Sequence, residues 1–192
     1  MTSVHLVGDP AADALLSEDP FALLVGMLLD QQIPMEVAFA GPQKLAERMD
    51  GLDAGRIAAT DPDAFVAVCA QKPAVHRFPA SMGRRVHALA TTVSQEYAGD
   101  AARIWTEGEP DGREVLRRLK ALPGFGEQKA RIFLALLGKQ CGLEAPGWRE
   151  AAGDYGREGV TMSIADVVDG ESLKAVRTYK QEVKAAAKAA QG

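Results

Sequence analysis

The sequence predicts an all-α fold, and three observations carry that prediction. Apolar residues recur at helical spacing through nearly all of the 192 residues. The period-two alternation of a half-buried strand is absent. Helix-opening Asp-Pro pairs stand before apolar runs, at Asp19-Pro20 and Asp61-Pro62. The length suits one large domain or two small lobes around a shared cleft, and it suffices to bury a core.

In chain order, DPFALLVGMLLDQQI (19–33) has Asp19 as N-cap and Pro20 at the first helical position. It is apolar on nearly every side, so this helix belongs at the centre. PMEVAFAGPQKLAERM (34–49) is a second helix opened by Pro34, with a break or kink at Gly41-Pro42. DPDAFVAVCA repeats the Asp-Pro start, and SMGRRVHALATTVSQEYA (81–98) is amphipathic, with Val86, Leu89, Ala90 and Val93 on one face. GREVLRRLKAL and EQKARIFLALLG flank a turn, LPGFG, and together form a helical hairpin at 116–137. A long Gly-rich loop spans 142–162, SIADVVDG is a short helix, and ESLKAVRTYKQEVKAAAKAAQ (171–191) closes the chain as a helix. Loops of that length within a domain are often functional.

No apolar run reaches about 18 residues, so no membrane span is expected. The first residues lack a basic segment followed by a long apolar one, so no secretory signal is expected and the localisation is read as cytoplasmic. Two cysteines, Cys69 and Cys141, cannot make a disulfide framework. Both are expected to be reduced and buried in apolar surroundings.

The net charge of −4 conceals a strong asymmetry. Residues 1–64 hold three basic and eleven acidic side chains, while 113–149 hold eight basic and three acidic ones. Lys72, Arg77, Arg84 and Arg85 fall in a stretch with no acid. An acidic protein with a basic face can bind phosphates there while resisting non-specific coating of DNA. An ordinary solvated helix face is the competing reading of the charge alone. Gly124 and Gly126 in the turn permit positive φ and close backbone approach, and the helix that follows presents unpaired N–H groups, for which phosphate oxygens are natural partners.

LPGFGEQKA resembles the helix-hairpin-helix of the base-excision DNA glycosylase superfamily that includes endonuclease III and the 3-methyladenine glycosylases. LLVGMLLDQQIPMEVAFAGPQKLAERM resembles the early helix and Gln-containing turn of the same superfamily, and the order of the two motifs fits. The resemblance implies an all-α, two-lobed fold with a DNA cleft between interleaved lobes. It implies a monomer that binds double-stranded DNA and hydrolyses the N-glycosidic bond of a flipped, damaged base. Gln32 matches the wedge that fills the gap left by the flipped base, with a helix-capping amide as the alternative. Gly124, Gly126 and Lys129 fall on the DNA-binding hairpin. The backbone carbonyls of Lys120, Leu122 and Phe125 match those that hold a potassium or sodium ion in relatives. No other cofactor is implied.

Three departures shape the expected chemistry. An iron–sulfur cluster needs four cysteine ligands, and none follows Cys141, so no cluster is expected. The catalytic lysine of strand-cleaving relatives would be the seventh residue counted from Leu122, which here is Gln128. Lys129, one place later, is rotated by about 100° and is expected to face a phosphate or solvent. The family's catalytic aspartate would fall at Pro146, Gly147 or Trp148, none of which is an acid. Glu150 and Asp30 are the candidate carboxylates, with Glu144 and Asp154 behind them. A surface ion pair with Arg149 or Arg157 is the alternative for Glu150. Trp148 can stack on a flipped base or plug the core.

The expectation is a DNA glycosylase without lyase activity. The alternative is a glycosylase-fold protein that binds DNA or a lesion without cutting it. A helical interaction domain that uses the hairpin only as a turn is a third reading, and it leaves the basic faces unexplained.

Overall fold

A computed structural model describes residues 4–190. Among these there are twelve α-helices, two 3-10 turns and no strand. The helices are α1 (Pro10–Glu18), α2 (Pro20–Leu29), α3 (Met35–Phe39), α4 (Gly41–Met49), α5 (Ala54–Ala59), α6 (Pro62–Ala70), α7 (Pro79–Glu96), α8 (Arg103–Thr106), α9 (Gly112–Ala121), α10 (Glu127–Gln140), α11 (Trp148–Ala152) and α12 (Gly170–Ala189). The 3-10 turns are Gly153–Gly156 and Ile164–Asp166. No described helix is long and apolar enough to cross a membrane.

The apolar run of α2 is buried from Phe21 to Leu29 on every side, as its composition predicts. Asp19 caps it by accepting the Phe21 N–H at 2.8 Å. The helix ends at Leu29, four residues short of the sequence expectation, because Asp30 leaves helical backbone and Gln32 adopts a left-handed φ of 61°. The predicted break at Gly41-Pro42 is real and separates α3 from α4. Helices α5 and α6 pack along α7, and α1, α3, α4 and α7 surround α2. Helices α9, α10 and α11 form a second packed group that α8 joins through α9. One continuous set of buried apolar side chains links the two groups.

Two sequence expectations need correction here. The stretch 142–162 is not an open loop: it holds α11, set between Gly147 and Gly153 at positive φ, and the 3-10 turn that Gly153 opens. Cys141 is exposed rather than buried, because it lies just past the end of α10, where the helix leaves the core. Cys69 is buried, and burial pushes its thiol up to about 12. The closing helix begins at Gly170 and reaches Ala189, while Gln191, the last residue of the predicted helix, lies outside the described residues.

Candidate functional site

The hairpin is α9, the turn Leu122–Gly126, and α10. Leu122 N–H donates to Leu119 O and Phe125 N–H to Leu122 O, both at 3.1 Å, so the turn closes on its own backbone. Phe125 points inward and meets Phe133 edge-on at 5.9 Å between ring centres. Gly124 has φ 82°, and a Cβ there would stand 2.2 Å from Leu28 Cδ1. Glycine is needed at this position for the backbone angle, and a side chain there would also have to displace the Leu28 methyl at the end of α2.

Gly126 behaves differently. Its φ is −77°, and an added Cβ would meet nothing within 4 Å. It opens α10 with no side-chain cap. Among described helices of eight or more residues, α10 alone starts with neither a capping side chain nor an early proline. The first N–H groups of a helix have no intrahelical partners, and together with the helix dipole they attract anions. Here no side chain stands at the helix start, and none of the first three N–H groups has a hydrogen-bond partner among the described residues. Glu127, the first residue of α10, bridges Lys120 and Arg131, and those two cations hold its carboxyl below the usual range, Lys120 foremost.

The sequence places Lys129 at a phosphate or in solvent, and the structure corrects this. Its Nζ donates to Met27 O at 2.6 Å, Leu28 O at 3.3 Å and Asp30 O at 3.4 Å. The one-residue rotation is present: Gln128 instead turns to the 3-10 segment, where its amide donates to the Tyr155 hydroxyl at 2.9 Å. Lys129 thus caps the C-terminal carbonyls of α2 and ties the hairpin to that helix. Burial lowers its pKa to about 8, against the opposing pull of Asp30.

Two consequences can be measured. Lys129→Met leaves half-buried carbonyls unpaired and should cost about 2 to 4 kcal/mol in urea unfolding. Between about pH 8 and pH 10.5 the unfolded chain holds a proton that folded Lys129 has released, so this group's contribution to stability rises with pH across that window. Cys69 acts in the opposite sense above pH 9. The stability of the parent minus that of Lys129→Met should therefore grow with pH, whatever the slope of the parent's own curve.

Beside this junction lies the turn Asp30–Ile33. Gln31 is held at three points. Its amide donates to Leu28 O at 2.8 Å, its Oε1 accepts from Arg85 at 3.1 Å, and its carbonyl accepts from His76 Nε2 at 2.9 Å. His76 is buried, and its Nδ1 accepts the Phe78 N–H at 3.0 Å, which leaves Nε2 as the proton-bearing nitrogen. Gln32 follows, exposed and left-handed, and its amide has no hydrogen-bond partner among the described residues. The helix-capping role considered for Gln32 belongs to Gln31.

Asp30 lines a pocket of about 280 Å³ with Ile33, Pro34, Met35, Glu36, Arg177, Lys180 and Gln181. Burial raises its pKa, opposed by Lys180 and Lys129, and its carboxylate lies 4.0 Å from the Lys180 ammonium. Glu36 pairs with Arg177, and its Oε2 is buried without a partner, an acceptor left over at the pocket wall.

Glu150 is elsewhere. It is exposed and lines a separate pocket of about 350 Å³ with Arg113, Arg117, Lys120 and Arg131. The two pockets share no lining residue, so the structure does not bring Asp30 and Glu150 together. The ion pairs considered for Glu150 are made by others: Arg149 pairs with Glu158 and Arg157 with Asp154.

Of the two sequence readings of Trp148, stacking on a base or plugging the core, the structure takes the second. Trp148 is 9% exposed, and its ring lies against Gly138, where a Cβ would come within 2.4 Å of it. The Arg149 guanidinium sits 4.5 Å from its ring centre. It plugs the space between α9, α10 and α11.

The carbonyls of Lys120, Leu122 and Phe125 remain the groups that the resemblance assigns to an alkali cation. Leu122 spends one lone pair of its carbonyl on the Phe125 N–H and keeps the other, which fits a hard ion. Sequence reasoning missed His76, Tyr155 and Lys180, and it named Arg85 as part of a basic stretch without its bond to Gln31. No family model matches the chain, and no curated protein matches it.

Proposed function

We propose that this protein binds duplex DNA through its hairpin, probes it with Gln32, and hydrolyses the glycosidic bond of an extruded base in the manner of helix-hairpin-helix glycosylases. The observation that carries the reading is the uncapped start of α10 at Gly126, joined through Lys129 and Gly124 to the turn that projects an unbonded Gln32. One element offers backbone donors to a phosphate. The other offers an amide long enough to enter a gap in the base stack. Phosphate contact of this kind positions the protein without reading sequence.

Asp30 is the carboxylate assigned to the chemistry. It is two residues from Gln32 and borders the pocket next to it, whereas Glu150 belongs to a different surface. As the C1′–N bond breaks, positive charge builds on the sugar, and a nearby carboxylate offsets it. Water forms the new C1′–O bond, and its proton leaves with the departing base or to solvent. The reading requires a two-lobed arrangement with a cleft at this junction.

A lyase step needs a free amine at C1′. Gln128 has none, and the amine of Lys129 is committed to the carbonyls of α2. Duplexes each holding one damaged base, incubated with the protein, should yield alkali-labile sites but no breaks before alkali, and borohydride should trap no adduct. Breaks before alkali, or a trapped adduct, would contradict the assignment.

The alternative is a lesion-binding protein without hydrolysis. Trp148 favours it, because the segment that carries the acid in relatives is here built into the core. Tight lesion binding with no abasic product from any duplex in the panel would establish that alternative.

Gln32→Ala separates wedge from scaffold. The side chain makes no internal bond, so folding should be unaffected. Affinity for duplex with an abasic site should fall about tenfold, the loss of roughly one hydrogen-bonded, stacked side chain, with little change for intact duplex. Equal losses on both duplexes would mean that Gln32 touches only the backbone.

A further inference from the structure

Helix α12 runs for 20 residues, yet Val176 is its one buried residue, and every residue from Gln181 to Ala190 is exposed. A helix that packs so little is not retained for the core. It persists because Asp169 and Ser172 form a capping box and because Ala, Lys, Glu and Gln are strong helix formers. Its charge is ordered. At about 100° per residue, Lys174, Arg177, Lys180, Lys184 and Lys188 fall within an arc of about 120°, and Glu171 and Glu182 lie outside it. Arg177 pairs with Glu36 and Lys180 approaches Asp30, whereas Lys174, Lys184 and Lys188 have no ion pair among the described residues.

The stripe passes the pocket beside Gln32, where Lys180 and Arg177 form one wall, and beyond Lys180 every described residue is exposed. We infer that α12 is a phosphate rail: its exposed half lies along the duplex flanking the site probed by Gln32 and extends the bound length. The inference rests on the DNA reading given above. The ten exposed residues span about 15 Å, the rise of about four base pairs. A membrane surface fits less well. From Val183 onward the exposed apolar residues are that valine, 50% exposed, and alanines, with none of the Trp, Phe or Leu that anchor an interfacial helix.

The test compares the parent protein with Lys184→Gln/Lys188→Gln and Lys184→Arg/Lys188→Arg, their helicity checked by circular dichroism. Binding to a 24-base-pair duplex with a central abasic site is measured as salt is varied. Loss of two phosphate contacts should flatten the log–log salt slope by about 1.8, so that the gap between parent and Gln variant shrinks about tenfold from 50 to 200 mM salt. The Arg variant should match the parent. An unchanged slope and affinity in the Gln variant, with the parent still binding, overturns the rail and leaves the hairpin reading intact. A parent that binds no duplex at 50 mM salt overturns both. Tighter binding of the parent to phosphatidylserine vesicles than to duplex, lost in the Gln variant, overturns the rail in favour of a membrane surface.

Discussion

Gly126→Val should weaken binding to every duplex by about 10²-fold while shifting stability by less than about 1 kcal/mol. The asymmetry follows from two features of the structure. Gly126 has an extended backbone that valine adopts readily, and there is no protein atom near its missing Cβ. The folded chain therefore has little to lose. A phosphate drawn to the first N–H groups of α10 must pass over this residue, and two methyl groups there keep it out of hydrogen-bond range. Losing two charge-assisted bonds at about 1.5 kcal/mol each corresponds to about a hundredfold in affinity. Gly124 gives the contrasting case: any side chain there meets Leu28, and reduced binding in such a variant would report on folding rather than contact. Parental affinity in Gly126→Val would reduce the hairpin to a connector.

Asp30→Asn should lower the rate of base release by about 10²-fold or more, the scale of removing one preorganised electrostatic stabiliser, with affinity for abasic duplex nearly unchanged. Glu150→Gln is the matched control and should retain the parental rate, since Glu150 lines the other pocket. The pH profile gives a second readout. Burial raises the pKa of Asp30 above the ordinary 3.8. The active form is the carboxylate, so activity should fall as pH drops through that raised value, and the acid limb should lie above 3.8. If Asp30→Asn keeps full activity and Glu150→Gln loses it, the chemistry belongs to the second pocket.

How much of this was legible in the sequence depends on the range of the interactions involved. The Asp19 cap, the Gly41 break and the hairpin are local, and each stands where the sequence places it, whereas α2 stops four residues early. Short elements were missed: α5, α8 and α11 hold six, four and five residues, too few to establish a helical period, and α1 was missed although Asp9-Pro10 opens it. α11 in particular exists because Trp148 is seated on Gly138 and Gly112, contacts that spacing along the chain does not reveal. Helical rotation separates Lys129 from Gln128 but cannot show what either side chain meets. The Met27 carbonyl lies 102 positions from Lys129, and His76 lies 45 from the Gln31 carbonyl that it fixes. Both candidate carboxylates were nameable from composition, and only the fold could assign them to different surfaces.

The central claim is that the tip of Gln32 enters the duplex at the lesion. Site-specific disulfide trapping tests this most directly. In a Cys141→Ser background, which removes the exposed native thiol, Gln32→Cys would be offered duplexes that carry a thiol-tethered base opposite an abasic site or several base pairs away. Val168→Cys, at an exposed position on the segment before α12, serves as the reference. The expected result is rapid crosslinking of Cys at position 32 to the tether opposite the lesion, slow reaction with the distant tether, and slow reaction of the reference with either. Equal crosslinking of both tethers, or of both cysteines, would contradict the account.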